Sequence, residues 1–251
     1  MRFATETGIV FAREVRPNLR NPAGIVFGMA QPVVFLVLFG SLLSGISWGG
    51  DGAAWQWFVP GMLIMLGLGG TVSAGYMLMT EMTGGSLDRM LVTPVSRSAM
   101  LVGRTAKEVV LLVAQSVLIV LVVLPLGFEL HLVGALVALL LLAVIGVGLG
   151  AFSCALAVLA RKQESLFYLV QQTLVFPLLM LSGVLLPLDG APAWMRALSR
   201  VNPLTYVVEA ERALFAGQLS GTAVLHGVLS AVAFAVAGVL VGARAMRFTG
   251  D

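Results

Sequence analysis

"LVGALVALLLLAVIGVGLGAFSCALAVLARK", Leu132 to Lys162, runs for twenty-nine residues without a charge and then stops on two adjacent cations. About 20 apolar residues suffice for a helix to cross hydrocarbon. The stretch therefore reads as a membrane span, 132–160, long enough to tilt or to project beyond the bilayer. Gly146, Gly148 and Gly150 lie within it and allow another backbone to approach closely, which is a packing signal. Composition agrees: the 251 residues are 59% hydrophobic and 11% charged, with mean hydropathy +1.01. Soluble domains carry about 25% charged residues, so the chain reads as an all-α integral membrane protein.

Five further stretches meet the same length test, giving six predicted spans at about 23–44, 58–80, 106–126, 132–160, 165–186 and 223–243 within one domain, 1–251. Arg2, Arg13, Arg16, Arg20, Arg89, Arg97, Arg104, Lys107, Arg161, Lys162, Arg244 and Arg247 then share one side, against Arg196, Arg200 and Arg212 on the other. Twelve cations against three place both termini in the cytoplasm. The preference for arginine, with many Ala, Gly and Val, suggests a GC-rich genome and a bacterial plasma membrane. No signal peptide is expected, because residues 1–22 hold no continuous apolar run.

Those 22 residues alternate Phe3, Ile9, Val10 and Phe11 with Arg2, Glu6, Arg13 and Glu14 at helical spacing. That pattern predicts an amphipathic helix in the cytoplasmic interface, with Pro17 and Asn21-Pro22 turning the chain into the first span. Between spans five and six two short helices are expected. One starts at Pro192 with Trp194, Leu198 and Val201 in register, and the other is capped by Asn202-Pro203 and stopped by Gly217. Both are placed at the outer surface, dipping into the interface, with Trp194 as a headgroup-level anchor.

The chemistry is sparse. Neither lysine, Lys107 or Lys162, follows glycine, so the chain carries no P-loop for ATP. His131 and His226 fall at span ends without metal-ligand spacing, and no catalytic or metal-binding set emerges. Cys154, the single cysteine, excludes an intrachain disulfide and reads as a small core residue. The predicted spans hold almost no ionisable groups, which argues against coupling to protons or sodium. Their polar groups are Gln115, Ser153, Tyr168, Gln171, Gln172 and Thr173, with Phe35, Met65, Tyr76 and Phe176 nearby. Gln171 and Gln172 point about 100° apart on a helix. Cavity lining and interhelical hydrogen bonding both fit them.

The polar loop after span two is punctuated. Gly84 and Gly85 break the preceding helix, Ser86 caps a short one, and Pro94 ends it by displacing Thr93 from helical geometry. Leu87, Met90 and Leu91 share one face, with Asp88 and Arg89 on another. Two turns are too short to stand alone. They need the membrane or a partner's groove to pack on.

"EMTGGSLDRMLVTPVSR", Glu81 to Arg97, together with "LSGVLLPLDGAPAWMRALSRVNPLTYVVEAERALF", Leu181 to Phe215, resembles the ABC-2 type transporter permeases, and most closely the daunorubicin/doxorubicin-resistance type. The resemblance covers nearly the whole chain. It implies a non-catalytic membrane subunit that binds no cofactor itself and pairs with two separate P-loop ATPase subunits carrying ATP and Mg. A second permease copy, or a related chain, would complete the complex; no nucleic acid is involved. By this likeness Gly85, Ser86, Leu87, Asp88, Arg89, Met90, Leu91, Thr93 and Pro94 form the coupling helix that seats in the ATPase. Glu6, Arg13 and Glu14 would contact ATPase or lipid. Phe35, Met65, Tyr76, Tyr168, Gln171, Gln172 and Phe176 would face the path of a hydrophobic or amphiphilic cargo such as a drug, lipid or glycolipid. A passive channel or an ion-coupled secondary transporter is the alternative.

Overall fold

Residues 2–20, 30, 32–40, 53–85, 96–185, 188 and 190–247 are described by a computed structural model, and the regular elements among them are all helical. In chain order these are α1 (Arg2–Arg20), α2 (Ala53–Thr83), α3 (Arg97–Val123, prolonged by the 3-10 turn Leu124–Leu126) and α4 (Leu132–Leu159). There follow α5 (Glu164–Leu181), α6 (Ala193–Ser199), α7 (Pro203–Phe215) and α8 (Thr222–Arg247). Five of them, α2, α3, α4, α5 and α8, are long and apolar enough to cross a membrane. Residues 32–40 are also helical and fall inside the first predicted span. The remainder of 23–44, apart from Ala30, lies outside the described residues. The protein is thus an all-α, multi-pass membrane protein.

The differences from the predicted boundaries have physical causes. Helix α3 starts at Arg97, not at 106, because its polar first turns are covered by α1 and need no apolar sequence to be buried. Helix α5 stops at Leu181, not at 186, where Gly183 adopts φ 72°, a left-handed cap that favours glycine. Helix α1 runs through Pro17 to Arg20 instead of turning at Pro17, forgoing the one backbone hydrogen bond that Pro17 cannot donate.

Helix α4 is the hub. A Cβ on Gly148 would stand 2.9 Å from Ala235 Cα, and one on Gly238 would stand 2.5 Å from Gly148 O, so α4 and α8 touch backbone to backbone. Gly150 meets Thr105 of α3, and Gly75 of α2 meets Ser153. Cys154 is fully buried in a second apolar cluster, near the α2–α3 connection, with Leu78, Met79, Met100, Leu101 and Phe167. Helix α5 is the exception: Phe167 is the buried member of its 18 residues.

The outer helices correct the expectation of a surface location. Helix α6 does lie outward, with Trp194 64% exposed and Val201 81%. Helix α7 does not. Leu204, Val207, Val208, Ala210, Leu214 and Phe215 are all buried, and Ser230 Oγ donates to Pro203 O at 2.9 Å. Ser230 is eight residues along α8 from Thr222, about 12 Å at 1.5 Å per residue. Helix α7 therefore begins well inside the bundle and climbs back outward, with Gly227 and Gly134 giving room for its backbone.

Gly238→Val should lower the unfolding temperature of detergent-solubilised protein by several degrees, since overpacking a tight contact costs about 1–3 kcal/mol. Gly69→Ala, whose Cβ would meet nothing within 4 Å, should leave it unchanged.

Candidate functional site

The loop after α2 is anchored at both ends. Gly84 N donates to Thr80 O at 2.9 Å, and Gly85 takes φ 68°, a backbone setting open to glycine and strained for other residues. The chain returns at Ser96, whose Oγ accepts from Ala99 N at 3.3 Å and caps α3. Ser96 N in turn donates to Glu6 Oε2 of α1 at 2.9 Å. Arg97 Nη1 reaches Met246 O and Arg247 O at the end of α8. Ser86 to Pro94, the rest of the expected coupling helix, lies outside the described residues.

Just inside these anchors sits an ionic cluster that the sequence did not announce. Arg104, about two helical turns into α3, has a side chain 4% exposed. Its Nη2 bonds Glu81 Oε2 of α2 and lies 3.8 Å from Glu14 Oε1 of α1. Arg13 reaches Glu81 at 4.0 Å. Beside them Lys107 Nζ pairs with Glu108 Oε1 at 2.7 Å, both side chains 5% exposed. Three helices thus share one balanced set of charges. The structure gives Glu6, Arg13 and Glu14 partners within the chain, and Glu14 is buried on the protein side of α1, away from lipid. The expectation that the spans are nearly free of ionisable groups is likewise revised, because Arg104, Lys107 and Glu108 are buried members of a spanning helix.

The expected path residues separate into three places. Phe35 and Met65 line one cavity of about 290 Å³ with Pro32, Met62, Leu66 and Gln115. Tyr76 and Tyr168 pair across α2 and α5, ring centroids 6.0 Å apart. Both are about half exposed, as is Phe176, so these residues look outward from the single chain. Gln171 and Gln172 part as helix geometry requires: Gln171 lines a different cavity and Gln172 is exposed.

At the end of the bundle opposite that cluster Arg212 ties α7 to α2 and to the turn after α5. Its Nε donates to Trp57 O at 3.1 Å, its Nη2 to Gly183 O at 2.8 Å, and its guanidinium stacks 3.9 Å from the Trp57 ring. The neighbouring Glu211 is fully buried, and neither carboxylate oxygen has a hydrogen-bond partner among the described residues. Because α7 does not cross the membrane and is enclosed by protein, burial alone holds this carboxyl well above the usual range. Neither residue was singled out from sequence, where both read as outer-surface charge.

A family model, ABC-2 type transporter, matches residues 5–216 of the chain. A protein of Cyanophora paradoxa named as a transport permease, ycf38, is 32% identical over 201 residues, covering 78% of this chain and 69% of its own. The daunorubicin resistance ABC transporter permease protein DrrB1 of Streptomyces coeruleorubidus is 27% identical over 198 residues, covering 78% and 70%. Nodulation protein J of Rhizobium leguminosarum bv. viciae is 28% identical over 233 residues, covering 90% and 89%.

Two measurements follow. Arg104→Met strands buried Glu14 and leaves Glu81 with Arg13 alone, and should cost about 3 kcal/mol; adding Glu14→Gln should recover part of that loss in denaturant unfolding. For Glu211, the folded protein keeps a proton that the unfolded chain releases above its ordinary value of 4.5. Stability therefore falls as pH rises past that value. Glu211→Gln should unfold at a higher temperature than wild type at about pH 8, with the gap closing toward about pH 4.5.

Proposed function

The chain belongs to the ABC-2 type transporter family, and from that membership we propose that it is the non-catalytic membrane subunit of an exporter powered by ATP hydrolysis on separate chains. Its role as a transport permease follows from the family match and the permeases among its relatives. Permeases of this family generally partner with ATP-binding subunits. Two such subunits, carrying ATP and Mg, would sit beneath two permease copies or one copy and a related chain. A bacterial plasma membrane is the proposed location.

The observation that carries this reading is the double anchorage of residues 86–95. Gly85 hangs this segment from α2, while Ser96 ties it to both α3 and α1 through Glu6. A push on it from below reaches three helices that the Arg104–Glu81–Glu14 contacts already hold together. That is the mechanical requirement of a coupling helix: force enters at Leu87, Met90 and Leu91 and leaves through helix axes. The cargo is proposed to be hydrophobic or amphiphilic, in keeping with the apolar Phe35–Met65 cavity and the exposed aromatics Tyr76, Tyr168 and Phe176. A drug, a lipid and a glycolipid-like molecule all fit that description; one relative's name records daunorubicin resistance.

Buried Glu211 is the observation that favours the ion-coupled alternative. Transport that persists when the partner's ATP site is inactivated would select that alternative.

Leu91→Asp should abolish co-purification of the ATPase while membrane insertion stays intact. Unchanged co-purification would remove the coupling assignment.

A further inference from the structure

Helix α5 stands off from the bundle, and the described residues do not fill the space behind it. A cavity of about 370 Å³ lies there, with Phe152, Leu156 and Leu159 of α4 on one wall, Gln171 and Leu174 of α5 on another, and Val241 of α8 closing it. It is separate from the Phe35–Met65 cavity, which shares none of its lining residues. Its size falls in the range of about 300–1,000 Å³ in which proteins hold small ligands.

Three observations say what belongs in it. The cavity lies between membrane-crossing helices, where empty apolar volume forfeits dispersion contacts that neighbouring hydrocarbon would supply. The lining is almost wholly apolar, and the one glutamine in it, Gln171, has a buried Oε1 that finds no hydrogen-bond partner among the described residues. An amide in that position can turn its Nε2 toward an ester carbonyl, since the two ends of the group are interchangeable by rotation. The cytoplasmic mouth is cationic. Leu159 lines the cavity and Arg161 and Lys162 follow it; Val241 lines it and Arg244 is one turn further on. Arg161, Lys162 and Arg244 are all exposed, and so is the carboxylate of Glu164 in the first turn of α5.

We propose that this cavity is a binding site for an anionic glycerophospholipid of the cytoplasmic leaflet, with an acyl chain between α4, α5 and α8 and its phosphate against Lys162 and Arg244. The lipid supplies packing that α5 lacks within its own chain, and so sets the position of that helix. The site is independent of the export reading, since it needs only the membrane placement of these helices.

The test uses the full-length protein, co-expressed with its ATPase where that subunit is known, in nanodiscs of equal phosphatidylcholine and phosphatidylglycerol. After extraction into mild detergent, retained lipid is counted by mass spectrometry. Wild type should keep phosphatidylglycerol in several-fold excess. Lys162→Gln with Arg244→Gln should reduce that excess to parity, and Leu156→Trp, which fills the cavity, should lower both lipids. The double variant alters exposed side chains, so it decides the matter even if Leu156→Trp misfolds. Equal retention of the two lipids by wild type, an unchanged preference in the double variant, or undiminished lipid in folded Leu156→Trp protein would overturn the proposal. ATPase co-purification, followed in parallel, reports on the export reading alone.

Discussion

A carbonyl that leaves a helix inside a bilayer must find a donor, because no water is there to supply one. The half of this protein around the turn between α5 and α7 is organised around that constraint. Helix α5 ends short and the chain doubles back, exposing the carbonyls of Leu178, Leu181 and Gly183. Asn202 Nδ2 takes the first at 2.9 Å, Thr205 Oγ1 the second at 3.1 Å, and Arg212 the third. Helix α7 begins at the same depth, with Asn202 Oδ1 capping it through Leu204 N. The side chains that close one helix therefore open another, and the turn can sit within the bundle without bare polar groups. Arg212 is the long member of this set, and its stacking on Trp57 keeps its own charge from being stranded.

The opposite half, around the connection between α2 and α3, meets a different demand. There the chain must bury charge and still move as a unit. Arg104 alone would be costly inside the protein; with Glu81 and Glu14 it joins α3 to α2 and α1. Such a set contributes little net stability compared with apolar packing, but it fixes which surfaces meet. Apolar contacts slide easily past one another, whereas displaced ion pairs leave unpaired charges behind. The three helices that bracket residues 86–95 are joined by the kind of contact that resists sliding.

Much of this was legible in the residues. Long apolar runs located the five spanning helices that the described residues contain, and their order, because hydrocarbon imposes a length that sequence must meet. Local backbone chemistry was legible too: Gly85 and Gly217 do take left-handed turns, and Asn202 does cap α7. What escaped was burial conferred by distant segments. Arg104 and Lys107 looked like loop cations, since nothing near them in sequence reveals that α1 folds over α3 ninety residues away. Glu211 and Arg212 looked like surface charge for the same reason. The apolar stripe of α7, Leu204, Val207, Val208 and Leu214, was the one signal that could have placed that helix inside.

The uneven packing of the helices bears on how such a chain can work. Helices α4 and α8 meet through glycines at backbone distance, and a contact so close has few alternative arrangements. Helix α5 has Phe167 buried and little else, with Tyr168, Leu169 and Phe176 turned outward. Between these extremes lies α2, packed on α4 through Gly75 while presenting Tyr76 to α5. Motion should therefore divide along the α2–α5 line, where aromatic rings can re-stack, and spare the α4–α8 pair. The segment expected to receive force leaves the end of α2, one of the two helices on that line. Rigidity where the backbone is shared and looseness where rings face outward are thus properties of the same chain, set by where glycine stands and where it does not.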